Sequence, residues 1–453
     1  MSPDTTAPLD PTTSRCFVEL LHRELVCALG CTEPIALAYS AALAREALGM
    51  PVEHLHVTCS GNIIKNVKSV SVPNAEGMKG VETASVLGLV GGDHTRRLEV
   101  LETVGHDDVE RARELISQGF CSVELAADVP NLYIVSTARG AGHEASVTVR
   151  DRHTNVVAIS RDGQALTDGP LAEYLTPIAP EPCAEGAGEP GAPADSSKLT
   201  MAGICAFARQ VDLDEVRDVL DRQIECNTAI SHEGLTGHWG SEIGRTILAS
   251  HPVDVVSRMR ARAAAGSDAR MGGCSLPVVI NSGSGNQGMT VSLPVIEYAE
   301  TIHASHDELL RALCISNLTA LHLKHYIGSL SAFCGVVCAA AGAGAAVTYL
   351  AGGTDDQIGS TVVNTIANVG GIMCDGAKAS CAAKIASSVD AAMLGHTMAM
   401  LDENFCAGDG LVQDTVEATI MSMGYVGRVG MHDTDVEILN IMIGKTCLEE
   451  MGC

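Results

Sequence analysis

From Arg15 to about Met50, apolar residues recur at helical spacing, and the only interruption is "ALGCTEP", where Gly30 can end one helix and Thr32 and Pro34 can begin the next. Beyond that point the period shortens to two. The runs "HLHVTCS", "SVELAADV", "NLYIVSTA", "EASVTVRD" and "NVVAIS" predict β-strands, with "HDDVERARELISQ" as an intervening helix. Residues 178–197, "PIAPEPCAEGAGEPGAPADS", concentrate Pro, Gly and Ala and read as a linker or a long exposed loop. After it almost every periodic stretch is helical. The pattern predicts an α+β chain: a polar, Pro-rich disordered tail over 1–12, a mixed α+β region over 13–177, and a helical region over 198–453. No fixed-period repeat occurs.

Composition sharpens this picture. The 453 residues are 46% hydrophobic and 19% charged, enough for one large or two medium soluble domains with substantial cores. Aromatic residues make up only 3% against 46 glycines, so the cores must be built by close helix packing of small and aliphatic side chains. The net charge of -26 repels phosphate backbones and anionic lipid, which argues against nucleic acid and membrane surfaces and leaves small molecules as partners. The most apolar run, "AFCGVVCAAAGAGAAVTYLA" at 332–351, is long enough to span a bilayer, but it is rich in Ala and Gly and lacks basic flanks. It reads as a buried core helix. Seventeen cysteines, an odd number, with no signal peptide at "MSPDTTAPLDPTTSR", point to a reducing cytoplasm rather than a secreted disulfide scaffold.

The cysteines are the first candidates for chemistry. Cys334 precedes Cys374 by 40 residues, Cys381 follows Cys374 by 7, and Cys338 lies one helical turn beyond Cys334. Thiolates hold iron–sulfur clusters or zinc, and Gly370, Gly371 and Gly376 would let backbone approach a bulky inorganic core. The other reading treats these cysteines as small hydrophobes in tight helix packing. The absence of a C-x-x-C pair disfavours a zinc ribbon. Three thiolates rather than four would leave one iron of a four-iron cluster open as a Lewis acid.

Four polar stretches accompany them. "CSGNIIKNVKSVSVPNA" at 59–75 sets Ser60, Asn62, Lys65 and Asn66 just after a predicted strand, suited to an amino acid's carboxylate and ammonium or simply to a turn. "NSGSGNQGM" at 281–289 carries Asn286 and Gln287; it reads either as an anion nest ahead of a helix starting near Val291 or as a plain loop. In "LHLKHYIGSLSAFCG", His322 and Tyr326 share a helix face, and His325 and Lys324 accompany them. "GCTEP" places Cys31 and Glu33 at a helix start, where Cys31 is either a reactive thiolate or base, or a buried cap residue. Asp375 and Lys378 flank Cys374.

Taken in order, "GCTEP", "SGNIIKN", "GSGNQG", "HLKHYIGSLSAFCG" and "GGIMCDGAKASCAAK" resemble the L-cysteine desulfidase family, which is similar in its helical half to the α chain of the iron–sulfur L-serine dehydratases. The resemblance runs from about residue 15 to the C-terminus. It implies an oxygen-sensitive [4Fe-4S] cluster and a carbon–sulfur lyase that converts L-cysteine to pyruvate, ammonia and hydrogen sulfide. Carried over by position, Cys334, Cys374 and Cys381 would be the cluster ligands, with Cys338 in reserve, and Cys31 the proton acceptor. Beside what the resemblance implies, the polar stretches make Ser60, Asn62, Lys65, Asn66, Asn286, Gln287 and His325 the candidates for substrate binding. The serine dehydratases have a longer gap between their last two ligands than the 7 seen here, which favours the desulfidase branch.

Three rival readings stand beside this one. An iron–sulfur L-serine dehydratase changes only the leaving group. A pyridoxal-phosphate lyase would use Lys65 for the Schiff base and "GSGNQG" for the phosphate. A non-catalytic iron–sulfur sensor would need only the cysteines. Glycine-rich helices and the large apolar share also hint at a homo-oligomer.

Overall fold

The computed structural model describes residues 9–176, 195–250, 253–328 and 330–446. In chain order the first elements are α1 (Pro11–Glu24), β1 (Cys27–Leu29), α2 (Thr32–Leu48), β2 (His54–Ser60), α3 (Gly61–Val67), α4 (Val81–Gly91) and α5 (His106–Ser117). Strands β3 (Cys121–Ala126), β4 (Tyr133–Gly140), β5 (His143–Arg150), β6 (Val156–Arg161) and β7 (Gln164–Ala165) follow. Then come α6 (Met201–Gln210), α7 (Arg217–Thr236), α8 (Ile243–Ser250), α9 (Val255–Met271) and β8 (Pro277–Val279). The chain continues with α10 (Gly285–Ile302), α11 (His306–Ile327), α12 (Gly335–Leu350) and α13 (Asp355–Val369). It ends in α14 (Cys381–Met400), α15 (Val416–Tyr425) and α16 (His432–Met442). This is the α+β class that the alternation of periods predicts.

The chain forms two compact units, one of residues 29–194 and one of residues 1–28 with 195–453. The first helix therefore belongs with the C-terminal residues. Its start also comes earlier than the polar tail suggested: Pro11 opens α1, and the Asp10 carboxylate accepts the Thr13 N–H as its cap. Most of the expected tail (1–8) and of the expected linker (177–194) lies outside the described residues.

In the unit of residues 29–194, the sheet order is β3-β2-β4-β5-β6-β7. Strands β2 and β3 run parallel, and each later pair is antiparallel. Alternation in β2 buries Leu55, Val57 and Cys59 on one face, while the other carries His54, His56 and Thr58. Helix α2 is buried on nearly every side, and Ser40 Oγ meets Ser136 Oγ of β4 at 2.6 Å, joining helix to sheet.

In the other unit, α12 is the central rod. Every residue from Val336 to Thr348 is buried, as the apolar run predicted. Neighbouring helices approach its backbone closely: a Cβ on Gly342 would lie 2.3 Å from the Ser316 carbonyl oxygen of α11. Among the described residues, no helix is long and apolar enough to cross a membrane.

Two local expectations need correction. The interruption at "ALGCTEP" is not a simple break between helices: α1 ends at Glu24, residues 27–29 form β1, and Gly30, with φ +59°, turns the chain toward α2. "GSGNQG" is not a loop ahead of Val291 either. The helix begins at Gly285, so Asn286 and Gln287 occupy its first turn.

Candidate active site

Two separate groups of candidate residues emerge, one in each unit. In the helical unit, a single antiparallel bridge between Phe333 and Met373 joins the two cysteine segments. The Cys334 N–H donates to Ile372 O at 3.0 Å, and the Cys374 N–H donates to Ala332 O at 2.6 Å. This sets the Cys334 and Cys374 side chains side by side, and hydrogen bonding between their thiols, followed by burial, pushes the Cys334 thiol well above its ordinary value. Cys381 opens α14 and is within electrostatic reach of Cys374; burial raises its thiol as well. Cys334 caps α12 and Cys381 starts α14, so two of the three sulfurs sit at helix N-termini, where partial positive charge favours anions. Cys338 is fully buried, and burial pushes its thiol to about 11.

Positive charge gathers around these sulfurs. Lys324 of α11 is buried, which pushes its amine down, while Cys338, Cys374 and Cys334 act on it in the opposite sense. Lys384, one turn into α14, interacts with Cys334 and Cys381 and forms an ion pair with Asp375. Lys378 pairs with the same carboxylate at 2.6 Å. Asp375 thus pins both lysines to the turn between the second and third cysteine.

Asn286 and Gln287 complete this side. Both are buried, and the oxygens Asn286 Oδ1 and Gln287 Oε1 have no hydrogen-bond donor. A Cβ on Gly335, the residue after Cys334, would come within 2.7 Å of the Gln287 amide nitrogen, so that glycine is what lets the amide lie against the start of α12. Three thiols that must lose protons to ligate, two helix N-termini and nearby lysines fit an anionic metal–sulfur cluster, and the orphan amide oxygens suit a hydrogen-bond donor.

His325 takes another course. Its Nδ1 lies 2.8 Å from Ser196 Oγ, and burial pushes its imidazole down. His322 and Tyr326 do share a face, with rings 5.7 Å apart, and His322 Nε2 meets Glu417 Oε2 at 2.6 Å.

In the unit of residues 29–194, Glu33 is the hub. Its Oε2 accepts the Cys31 thiol at 3.2 Å and the Thr32 hydroxyl at 3.1 Å. Its Oε1 accepts the Asn66 amide at 3.0 Å, with His153 Nε2 at 3.8 Å. Cys31 therefore differs from a thiol at a helix N-terminus alone: its hydrogen-bond partner is the Glu33 carboxyl group. Lys65 is buried on α3, and Ser60 donates its hydroxyl to Asn131 O at 2.7 Å. Of the predicted residues here, the structure brings Cys31 and Asn66 together through Glu33 and turns Ser60 elsewhere.

Sequence reasoning gave no role to Glu33, Lys384 or His153. Acids in a first helical turn are ordinary, so the Glu33 signal is bland on its own. Lys384 follows Cys381 at helical i+3 spacing, which is a usable cue. His153 sits in the β5–β6 connection, where nothing local marks it.

Residues 95–440 match the serine dehydratase alpha chain family. The chain is 47% identical to a UPF0597 protein of Lachnoclostridium phytofermentans, over 94% of this chain and 99% of that one. It is 45% identical to a UPF0597 protein of Desulfitobacterium hafniense, over 95% and 96% of the two chains, and 45% identical to one of Finegoldia magna, over 95% and 99%.

Proposed function

The chain belongs to the serine dehydratase alpha chain family, and from that premise we propose that it is an L-cysteine desulfidase, eliminating sulfide from L-cysteine to yield pyruvate and ammonia. The family is associated with iron–sulfur clusters and lyase chemistry. Cys334, Cys374 and Cys381 would hold a [4Fe-4S] cluster, which when bound supplies an open iron as Lewis acid for the substrate carboxylate or leaving sulfur. The observation that supports this reading is the Cys334–Cys374 thiol pair with Cys381 and two lysines around it.

The chain's own residues then do the rest. Asn286 and Gln287 offer unpaired carbonyl oxygens, which suit the three donors of an ammonium group. Cys31, hydrogen-bonded to Glu33, is the proposed proton acceptor for the substrate Cα–H. The Cβ–S bond breaks as the Cα electron pair forms the Cα–Cβ double bond, and hydrosulfide departs. The resulting aminoacrylate tautomerises and hydrolyses to pyruvate and ammonia. Lys65 and Asn62 remain assigned to substrate in this proposal, whereas Ser60 and His325, engaged by Asn131 and Ser196, do not, and the reducing cytoplasm is the proposed compartment.

The test is anaerobic purification followed by iron, acid-labile sulfide and pyruvate assays. Near four iron and four sulfide per chain, with pyruvate and sulfide released from L-cysteine, support the reading. Cys374→Ala should lose both colour and activity, and a colourless, fully active variant sinks the cluster. A higher kcat/KM on L-serine than on L-cysteine would make it a dehydratase instead.

A further inference from the structure

A second pair of cysteines stands outside this chemistry. Cys27 opens β1 and Cys226 lies on α7, 199 residues later, yet their Sγ atoms are 3.8 Å apart. The local fold explains the meeting. The Ile280 N–H donates to Val26 O at 3.0 Å, aligning the segment before β1 with the end of β8. Asn227 clamps β8 to α7 through both the oxygen and the nitrogen of its side-chain amide: the Val279 N–H donates to Asn227 Oδ1 at 2.9 Å, and Asn227 Nδ2 donates to Val279 O at 3.2 Å. Cys226, the next residue back on α7, is thereby held beside Cys27. Arg222, one turn earlier on the same helix, donates Nε–H to the Cys27 sulfur at 3.1 Å.

Each thiol is only partly buried, unlike Cys31, Cys334 and Cys338. The two sulfurs are also electrostatically unequal. A guanidinium against Cys27 favours its thiolate. Hydrogen bonding to Cys27, followed by burial, pushes the Cys226 thiol far up. One sulfur is set to attack and the other to keep its proton until called upon.

We propose that Cys27 and Cys226 are a redox-active dithiol, which a peroxide closes to a disulfide and a reducing thiol reopens. The Cys27 thiolate attacks one peroxide oxygen and breaks the O–O bond. It becomes a sulfenic acid, while the other oxygen leaves as hydroxide and is protonated to water. The Cys226 sulfur then attacks the Cys27 sulfur, the S–O bond breaks, and a second water leaves with the Cys226 proton. The two thiols are oxidised by two electrons and hydrogen peroxide is reduced to two waters. Reopening is thiol–disulfide exchange through a mixed disulfide. The bond would fasten β1, the strand along which the chain passes from residues 1–28 into residues 29–194, to α7.

The experiment uses the full-length protein, purified without oxygen and with whatever iron it carries. It is treated with one equivalent of hydrogen peroxide, trapped with an alkylating agent, digested without reductant and followed by mass spectrometry, with iron measured on the same aliquots. The expected result is a linked peptide pair containing Cys27 and Cys226, lighter by two hydrogens than the sum of its parts, formed before iron is lost and reversed by a dithiol reductant. Arg222→Gln should slow its formation about tenfold, and Cys226→Ser should leave Cys27 as a sulfenic acid that dimedone labels. Recovery of both residues as alkylated free thiols, or a bond that appears only after the iron has gone, overturns the proposal. So does an unchanged rate in Arg222→Gln, a surface substitution that stands as a test even if Cys226→Ser folds poorly.

Discussion

Replacing Glu33 with Gln removes one charge and keeps the volume, which makes it the sharpest probe of the proton-accepting pair. Three donors converge on the carboxylate, from Cys31, Thr32 and Asn66. With the amide oxygen kept toward Cys31 and Thr32, the new NH₂ group faces Asn66. Asn66 Oδ1 has no donor of its own, so a flip of that amide gives the NH₂ group an acceptor. The structural loss then includes exchanging three charge-assisted hydrogen bonds (about 1.5–3 kcal/mol each) for neutral ones (about 0.5–1.5), about 3–4.5 kcal/mol in total. For a unit of this size that lowers the melting temperature by roughly 6–18 °C. Activity of the protein that remains folded should fall as well. A lost general base costs about 10²–10⁴-fold, equivalent to about 3–5 kcal/mol of barrier. The assay is pyruvate release from L-cysteine under anaerobic conditions, normalised to iron per chain. A folded, iron-replete Glu33→Gln protein with activity within fivefold of the parent would refute the argument, and the proton acceptor would have to be sought elsewhere.

Other outcomes follow from the same packing. In Gly335→Ala the new Cβ displaces the Gln287 amide, a movable side-chain end, so KM should rise about tenfold with the melting temperature nearly unchanged; equal KM values count against substrate binding at Gln287. In Gly342→Ala the Cβ meets the Ser316 backbone oxygen, which cannot swing away, and overpacking should cost about 1–3 kcal/mol, read as a lower denaturant midpoint with no selective change in KM. Asp268 is held up to about 6 by burial, against the opposing pull of the Gly244 and Ser241 N–H groups. Its folded pKa lies above the unfolded one, so its contribution is complete below about pH 4 and is lost as pH rises through about 6, by about 3 kcal/mol at most. Thermal melts of the parent and Asp268→Asn across that window should diverge in slope, and parallel curves would contradict the assignment. Cys406 is exposed whereas Cys314 is fully buried and pushed up to about 12, so native alkylation at pH 8 should label Cys406 and spare Cys314.

What the sequence made legible and what it hid divide along the range of the interactions. Strands β2 and β4–β6 were readable because alternation is written within each run, and α12 because an unbroken apolar stretch declares its own burial. The helix start at Gly285 was not: Gly, Asn and Gln are poor local evidence for a helix, and burial of that turn overrides their propensity. Strand β1 was hidden for a related reason, since three residues carry too little pattern to announce a strand whose partner is some 250 positions away. At the candidate site, spacing nominated Cys334, Cys374 and Cys381, but only the Phe333–Met373 bridge sets the first two side by side. Neighbours on a helix diverge by about 100°. That rotation decides between Lys324, whose charge lies among the thiols, and His325, whose ring turns to Ser196, and no one-dimensional pattern states which of the two faces inward. Glu33 and Asn66 make the same point across 33 residues: each is an unremarkable polar residue at the start or end of its own helix, and the hydrogen bond that gives them a shared role exists only once α2 and α3 have packed. Chemistry that depends on one side chain's type is therefore visible in a single sequence, whereas chemistry that depends on a proton shared between two elements becomes visible only with the fold.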